Sequence, residues 1–113
     1  MPNTHSATTT QDLLFKTLSD PTRRGLFERL CRDGETTVGA LTAQAGVSQP
    51  VVSKHLALLK QAGLVRDRAD GRQTHYSAQL TALSPLTDWT RQMTGFWQAR
   101  FDGLDDLLNR MDQ

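Results

Sequence analysis

Thr37-Val38-Gly39-Ala40-Leu41-Thr42-Ala43-Gln44-Ala45-Gly46-Val47-Ser48-Gln49-Pro50-Val51-Val52-Ser53-Lys54-His55-Leu56-Ala57-Leu58-Leu59-Lys60-Gln61 is two helical segments folded about a three-residue turn. Thr37 precedes a short helix. Gly46-Val47-Ser48 is the turn, and Gly46 is expected to take a positive φ there, which glycine adopts cheaply. Ser48 is a suitable N-cap for the second helix, and Pro50 falls in its first turn, where a missing N–H costs little. Val52, Leu56, Leu59 and Ala62 share one face of that helix and are expected to pack inward. Gln49, Ser53, Lys54 and Ala57 point elsewhere. This spacing is that of a helix-turn-helix.

Downstream, Ala62-Gly63-Leu64-Val65 leads out of the second helix into a strand. Asp70-Gly71 signals a two-residue hairpin turn of type I′, flanked by strands near Val65–Arg68 and Gln73–Ser77. Upstream, Leu13, Leu14 and Leu18 recur at helical spacing from Gln11. Asp20-Pro21-Thr22 starts a new helix, with Asp20 as cap and Pro21 at its first position. Leu26, Phe27, Leu30 and Cys31 form the expected apolar face, and Asp33-Gly34 ends it. Pro85 opens a last long helix, whose Leu86, Trp89, Met93, Trp97, Phe101, Leu104, Leu108 and Met111 make one stripe at steps of three or four, widened by Phe96 and Leu107.

The expected fold is mainly α: a winged helix-turn-helix with a two-stranded β-hairpin wing and long terminal dimerisation helices. Residues 1–10, polar and with three consecutive threonines, are expected to form a flexible arm. Residues 11–113 make a single domain, with scaffold and dimerisation helices over 11–35 and 85–111, the helix-turn-helix over 37–62 and the wing over 64–77. A stripe as long as that of the last helix exceeds what a chain of 113 residues can cover by itself. It reads as a homodimer interface built from Leu13, Leu14, Leu86, Trp89, Met93, Phe96, Trp97, Phe101, Leu104 and Leu108.

Charge supports contact with nucleic acid locally rather than globally. The net charge is only +1. Residues 48–77 nevertheless carry Lys54, Lys60, Arg66, Arg68 and Arg72 against Asp67 and Asp70, whereas residues 86–113 are acidic. A local basic patch matters more for phosphate binding than the total. Gln and Lys near the start of an exposed helix suit base edges in the major groove, and arginines on a narrow hairpin suit the minor groove or the backbone. The candidate DNA-binding residues are Ser48, Gln49, Pro50, Ser53, Lys54, His55, Arg66, Arg68, Gly71, Arg72 and His75.

Val47-Ser48-Gln49-Pro50-Val51-Val52-Ser53-Lys54-His55-Leu56, then Leu59, Ala62-Gly63-Leu64-Val65, Gly71-Arg72 and Tyr76, with Leu18-Ser19-Asp20-Pro21-Thr22-Arg23-Arg24 upstream, resembles the ArsR-type family of winged-helix repressors. The resemblance spans about Leu13 to Leu80, and Trp89, Phe96-Trp97 and Leu104 are similar to a subgroup of it. It implies a homodimer joined by the first and last helices and bound as a repressor to an imperfect palindromic operator in double-stranded DNA. An unknown small-molecule inducer is a further candidate partner, with Gly95 and Gly103 opening space for a slot at the helix interface.

Metal-sensing members of that family place paired cysteines in the first helix of the helix-turn-helix, or Asp and His ligands on the last helix. Residues 36–42 contain no Cys, His or Asp, and the last helix has no histidine. Neither a metal nor another cofactor is expected. The single Cys31 reads as a small core residue and excludes an internal disulfide. No nucleophile–base pair, paired carboxylate site or phosphate-binding glycine loop argues for an enzyme. No apolar run suits a membrane span and the N-terminus lacks signal-peptide features, so the expected location is cytoplasmic. The alternative function is a winged-helix protein–protein interaction module, which would expose apolar residues where Gln49, Ser53 and Lys54 stand.

Overall fold

The computed structural model describes residues 5–112, with side chains from Thr10 onward. Its elements run α1 (His5–Ser19), α2 (Pro21–Asp33), β1 (Thr36–Thr37), α3 (Val38–Ala45), α4 (Gln49–Gln61), β2 (Val65–Asp70), β3 (Gln73–Ala78), a 3-10 turn (Leu80–Leu83) and α5 (Ser84–Met111). The first helix begins at His5, ahead of the Gln11 start expected from apolar spacing. No Gly or Pro interrupts 5–19, so nothing stops the helix from propagating through the threonines. The part of the expected arm before it, residues 1–4, lies outside the described residues.

Local chemistry sets the helix ends. The Asp20 carboxylate accepts a hydrogen bond from the Arg23 N–H at 2.9 Å, and Pro21 takes the first turn of α2. Thr37 caps α3 through its hydroxyl oxygen, which accepts from the Ala40 N–H at 3.1 Å. Gly46 closes α3 in the left-handed region at φ 73°, a conformation costing an L side chain roughly 1–2 kcal/mol. Ser48 has the extended backbone of an N-cap but makes no side-chain cap bond, so the expected hydroxyl contact is absent.

The core is one cluster drawn from the first four helices and the base of the wing. Leu14, Leu26, Phe27, Leu30, Leu41, Val52, Leu56, Leu59, Leu64 and Val65 are buried. Leu14 is therefore a core residue rather than part of a dimer face. Leu13 and Phe15 stand either side of it and are 42% and 41% exposed, because neighbours on a helix diverge by about 100°. Cys31, expected in the core, is exposed. It follows Phe27 by four residues, but the stripe centres on Leu26 and Leu30 and leaves it on the outer flank.

The wing has three strands, in the order β1-β3-β2, all antiparallel. Sequence patterning showed only two, since a strand of two residues has no periodicity to detect. Asp70 pairs with Gln73, so the two-residue loop is Gly71-Arg72, not Asp70-Gly71. Gly71 has φ 63°, and among the described residues no non-glycine has positive φ. A type I′ turn needs positive φ at both loop positions, and Arg72 does not supply it. Gln79 closes the base of the wing: its N–H donates to Leu64 O at 2.8 Å and its amide to Val65 O at 3.3 Å.

The last helix docks only by its beginning. Leu86 packs on the core, the Gln11 amide donates to Pro85 O at 3.5 Å, and Trp89 meets Phe15 edge-on at 5.2 Å. No residue of α5 is buried in the single chain. At about 1.5 Å per residue its 28 residues extend roughly 42 Å. The radius of gyration is 20.0 Å, against about 13 Å for a compact chain of this length. The projecting helix accounts for the difference.

Candidate nucleic-acid interface

Helix α4 stands on the core through Val52, Leu56 and Leu59, so its opposite face is open. Ser48, Gln49, Pro50, Ser53 and Lys54 are exposed, all within its first half. The wing rises beside it. Gln49 and Ser53 share a hollow of about 450 Å³ with Thr37, Val38 and Gly39 at the start of α3 and with Asp67, Arg72, Gln73, Thr74 and Tyr76 of the wing. Three of the expected residues (Gln49, Ser53 and Arg72) are thus brought together around one polar surface. Gly71 lies beside Arg72 at the exposed tip.

The pleat divides the remaining wing residues. Asp67 pairs with Tyr76 and Ala69 with Thr74, whereas Arg66 pairs with Ser77 and Arg68 with His75. Side chains alternate along a strand, so Asp67, Thr74 and Tyr76 turn to the hollow while Arg66, Arg68 and His75 lie on the outer face. The expected DNA-binding residues of the wing therefore divide between two faces, Arg72 at the hollow and Arg66, Arg68 and His75 on the other.

Arg68 is moreover engaged. Its guanidinium donates to both Glu35 oxygens, at 2.7 and 3.2 Å, and lies 3.8 Å from Asp70. Hydrogen bonding to Arg68 holds the Glu35 carboxyl below the ordinary glutamate range, and the same contact raises Arg68. His75 sits between two carboxylates, Nδ1 3.8 Å from Glu35 and Nε2 3.8 Å from Asp70. Lys60 is paired with Asp67 at 3.0 Å, which raises the lysine. Burial, aided by the Asp67 charge, pushes the Tyr76 hydroxyl up. Among the described residues Lys54, Arg66 and Arg72 take part in no ion pair, so their charges are available to an anionic partner.

His55 does not belong to this surface. It is half-buried on the other flank of the apolar stripe, facing the junction of α1 and α2, where its Nδ1 lies 3.4 Å from Arg23 Nη1. Sequence reasoning also missed Thr37, Val38, Gly39, Asp67, Gln73, Thr74 and Tyr76. Strand alternation counted from Gly71-Arg72 would have put Asp67, Thr74 and Tyr76 on one face. Nothing local in the sequence marks Glu35 as the partner of Arg68.

Residues 18–68 match a family profile described as a helix-turn-helix domain. The HTH-type transcriptional regulator Rv2034 of Mycobacterium tuberculosis is 44% identical over 92 residues, spanning 77% of this chain and 85% of the relative. The transcriptional repressor SdpR of Bacillus subtilis is 37% identical over 76 residues, spanning 67% and 83%. The crystal structure of the ArsR family transcriptional regulator RHA00566 superposes with a TM-score of 0.73 at 26% identity, covering 80% of this chain and 93% of that one. The chain belongs to the ArsR family. As an ArsR-family protein it is a DNA-binding transcriptional regulator built on a winged helix-turn-helix. Among the described residues, no group of three or more His, Cys, Asp or Glu side chains is placed to hold a metal ion, and no helix is long and apolar enough to cross a membrane.

Proposed function

We propose that the protein is a homodimeric transcriptional repressor that binds an imperfect palindrome, each copy laying the start of α4 in a major groove and the wing tip along the adjoining backbone. The observation that carries this reading is the shared hollow, where Gln49 and Ser53 on α4 and Arg72 on the wing line one polar surface. Gln49 supplies paired donor and acceptor groups suited to adenine, and Lys54 and Arg72 supply unpaired cations for phosphate or guanine. The relative SdpR, a transcriptional repressor, supports the direction of regulation, and a DNA target supports a cytoplasmic location.

The dimer reading draws its support from α1 and α5. Trp89, Phe96, Trp97, Phe101, Leu104 and Leu108 are 38–64% exposed in the single chain, on a helix that docks only by its first turns. An apolar strip of this length is a site of association, and a second copy covers it while setting two α4 helices on one side, about one DNA turn apart.

The test is selection from fragmented genomic DNA by the purified protein at near-physiological salt. Enrichment of one imperfect palindrome is expected. Retention of bulk DNA without a common motif would leave only electrostatic binding and favour the protein-interaction alternative.

A further inference from the structure

Arg23 lies outside the nucleic-acid surface, yet it touches three elements. Its backbone N–H is taken by the Asp20 cap. Its guanidinium donates from Nε to Thr17 O at 2.6 Å and from Nη2 to Lys16 O at 3.5 Å. These carbonyls belong to the last four of α1, which lack a backbone N–H partner within the helix and carry its negative end; Lys16 O also accepts from the Ser19 hydroxyl at 2.7 Å. The remaining fork nitrogen, Nη1, lies 3.4 Å from Nδ1 of His55 on α4. Neighbouring Arg24 also caps α1, at Leu18 O (2.8 Å), but only Arg23 continues to α4.

The placement of His55 makes this bridge consequential. Helix α4 rests on a ridge of Val52, Leu56 and Leu59 packed against α2, α3 and β2, and because apolar contacts are non-directional a directional bond on one flank adds to what sets its roll. His55 is on one flank of that ridge and Gln49 and Ser53 on the other. A tether on His55 therefore fixes the roll that aims Gln49 and Ser53. The other end of the tether is the last turn of α1, directly after Phe15, which meets Trp89 of α5.

We propose that Arg23 and His55 are positioning residues that lock the roll of the recognition helix to the α1–α5 scaffold, and so match the two recognition helices of the dimer to the spacing of the operator half-sites. The proposal rests on the dimeric reading given above. The bond requires a neutral His55 with Nδ1 as acceptor. The charged groups facing His55 are Arg23 and Asp20. The Asp20 carboxyl is held below its ordinary range chiefly by the Arg23 N–H.

Three variants, His55→Ala, His55→Asn and Arg23→Lys, are compared with wild type on the selected palindrome, on a palindrome with one base pair added between half-sites, and on an isolated half-site. Oligomeric state is read by sedimentation and folding by thermal melting. His55→Ala and Arg23→Lys are expected to lose about tenfold on the native palindrome, the scale of one charge-assisted hydrogen bond. They should lose less than about twofold on the half-site and discriminate less between the two spacings. His55→Asn keeps an acceptor at the Nδ1 position. It should restore palindrome binding and the discrimination between the two spacings. A dimeric wild type whose His55→Ala variant binds both palindromes unchanged would overturn the lock alone. So would equal losses on palindrome and half-site with a lowered melting point, or a His55→Asn variant that binds the palindrome no better than His55→Ala. A monomeric wild type would overturn the dimeric reading and the lock with it.

Discussion

Replacing Arg72 by alanine should change how DNA binding responds to salt, and replacing Arg68 should not. Arg72 sits at the wing tip on the rim of the hollow and takes part in no ion pair among the described residues. Arg68, four residues away in sequence, lies on the outer face and is already neutralised by Glu35 at 2.7 Å. Each phosphate contact releases counterions and contributes a slope of about −0.9 in log affinity against log salt. A dimer has two Arg72 residues, so Arg72→Ala should make the slope shallower by about 1.8. Between ~50 and ~200 mM salt the advantage of wild type over the variant then shrinks about twelvefold. The assay is fluorescence anisotropy of a labelled operator duplex over that salt range, with random duplex in parallel. Weaker binding to both duplexes, with the shallower slope, is expected for Arg72→Ala. An unchanged slope for Arg72→Ala, or an equal change for Arg68→Ala, would refute the division of the wing into a nucleic-acid face and an outer face.

Gln49→Ala should leave the salt slope alone and reduce the preference for operator over random DNA, by about 1–3 kcal/mol for each base pair that the glutamine reads; competition binding measures it. Trp97→Asp combined with Phe101→Asp should yield folded monomers in sedimentation, because both rings are more than half exposed in the single chain; dimers that persist would contradict the α5 interface. Leu56→Ala removes a fully buried side chain at the centre of the core and should cost about 2–5 kcal/mol, lowering the melting temperature by on the order of 10 °C. The depressed Glu35 carboxyl means that its pairing with Arg68 favours folding above the ordinary glutamate range and fades as pH falls through its lowered value. Arg68→Ala should return the Glu35 midpoint to the ordinary range in an NMR titration, with little change in stability because the pair is exposed.

The helix-turn-helix was legible because its signals are local and agree. Thr37, Gly46 and the Val52-Leu56-Leu59 spacing each point to the same elements, and each occupies its expected place. The path of the wing was partly legible, since Gly71 marks the turn, but the loop register was off by one residue. The shift changes each cross-strand partner by two and so leaves the faces as they were: in either register Arg68 and His75 lie away from the hollow and Asp67 faces it. β1 and the Glu35–Arg68 pair are contacts over more than thirty residues, and a single chain carries no local trace of them. The same holds for His55, whose partner Arg23 lies on another helix. Leu14 and Cys31 were misplaced for a different reason. Helical spacing defines a stripe but not its width, and only packing decides which flanking residue is covered.

Thr37 is at once the last paired residue of β1, opposite His75, and the N-cap of α3. The chain has no spare residue between sheet and helix there. One residue inserted after Thr37 would force a choice between the strand register and the cap, and one residue deleted would pull Val38 into the sheet and strip α3 of its hydroxyl. Changes of length are absorbed where the chain has slack, at the wing tip or at the far end of α5. The junction at Thr37 is instead a fixed pin: it ties the start of α3 to the sheet with no slack between them.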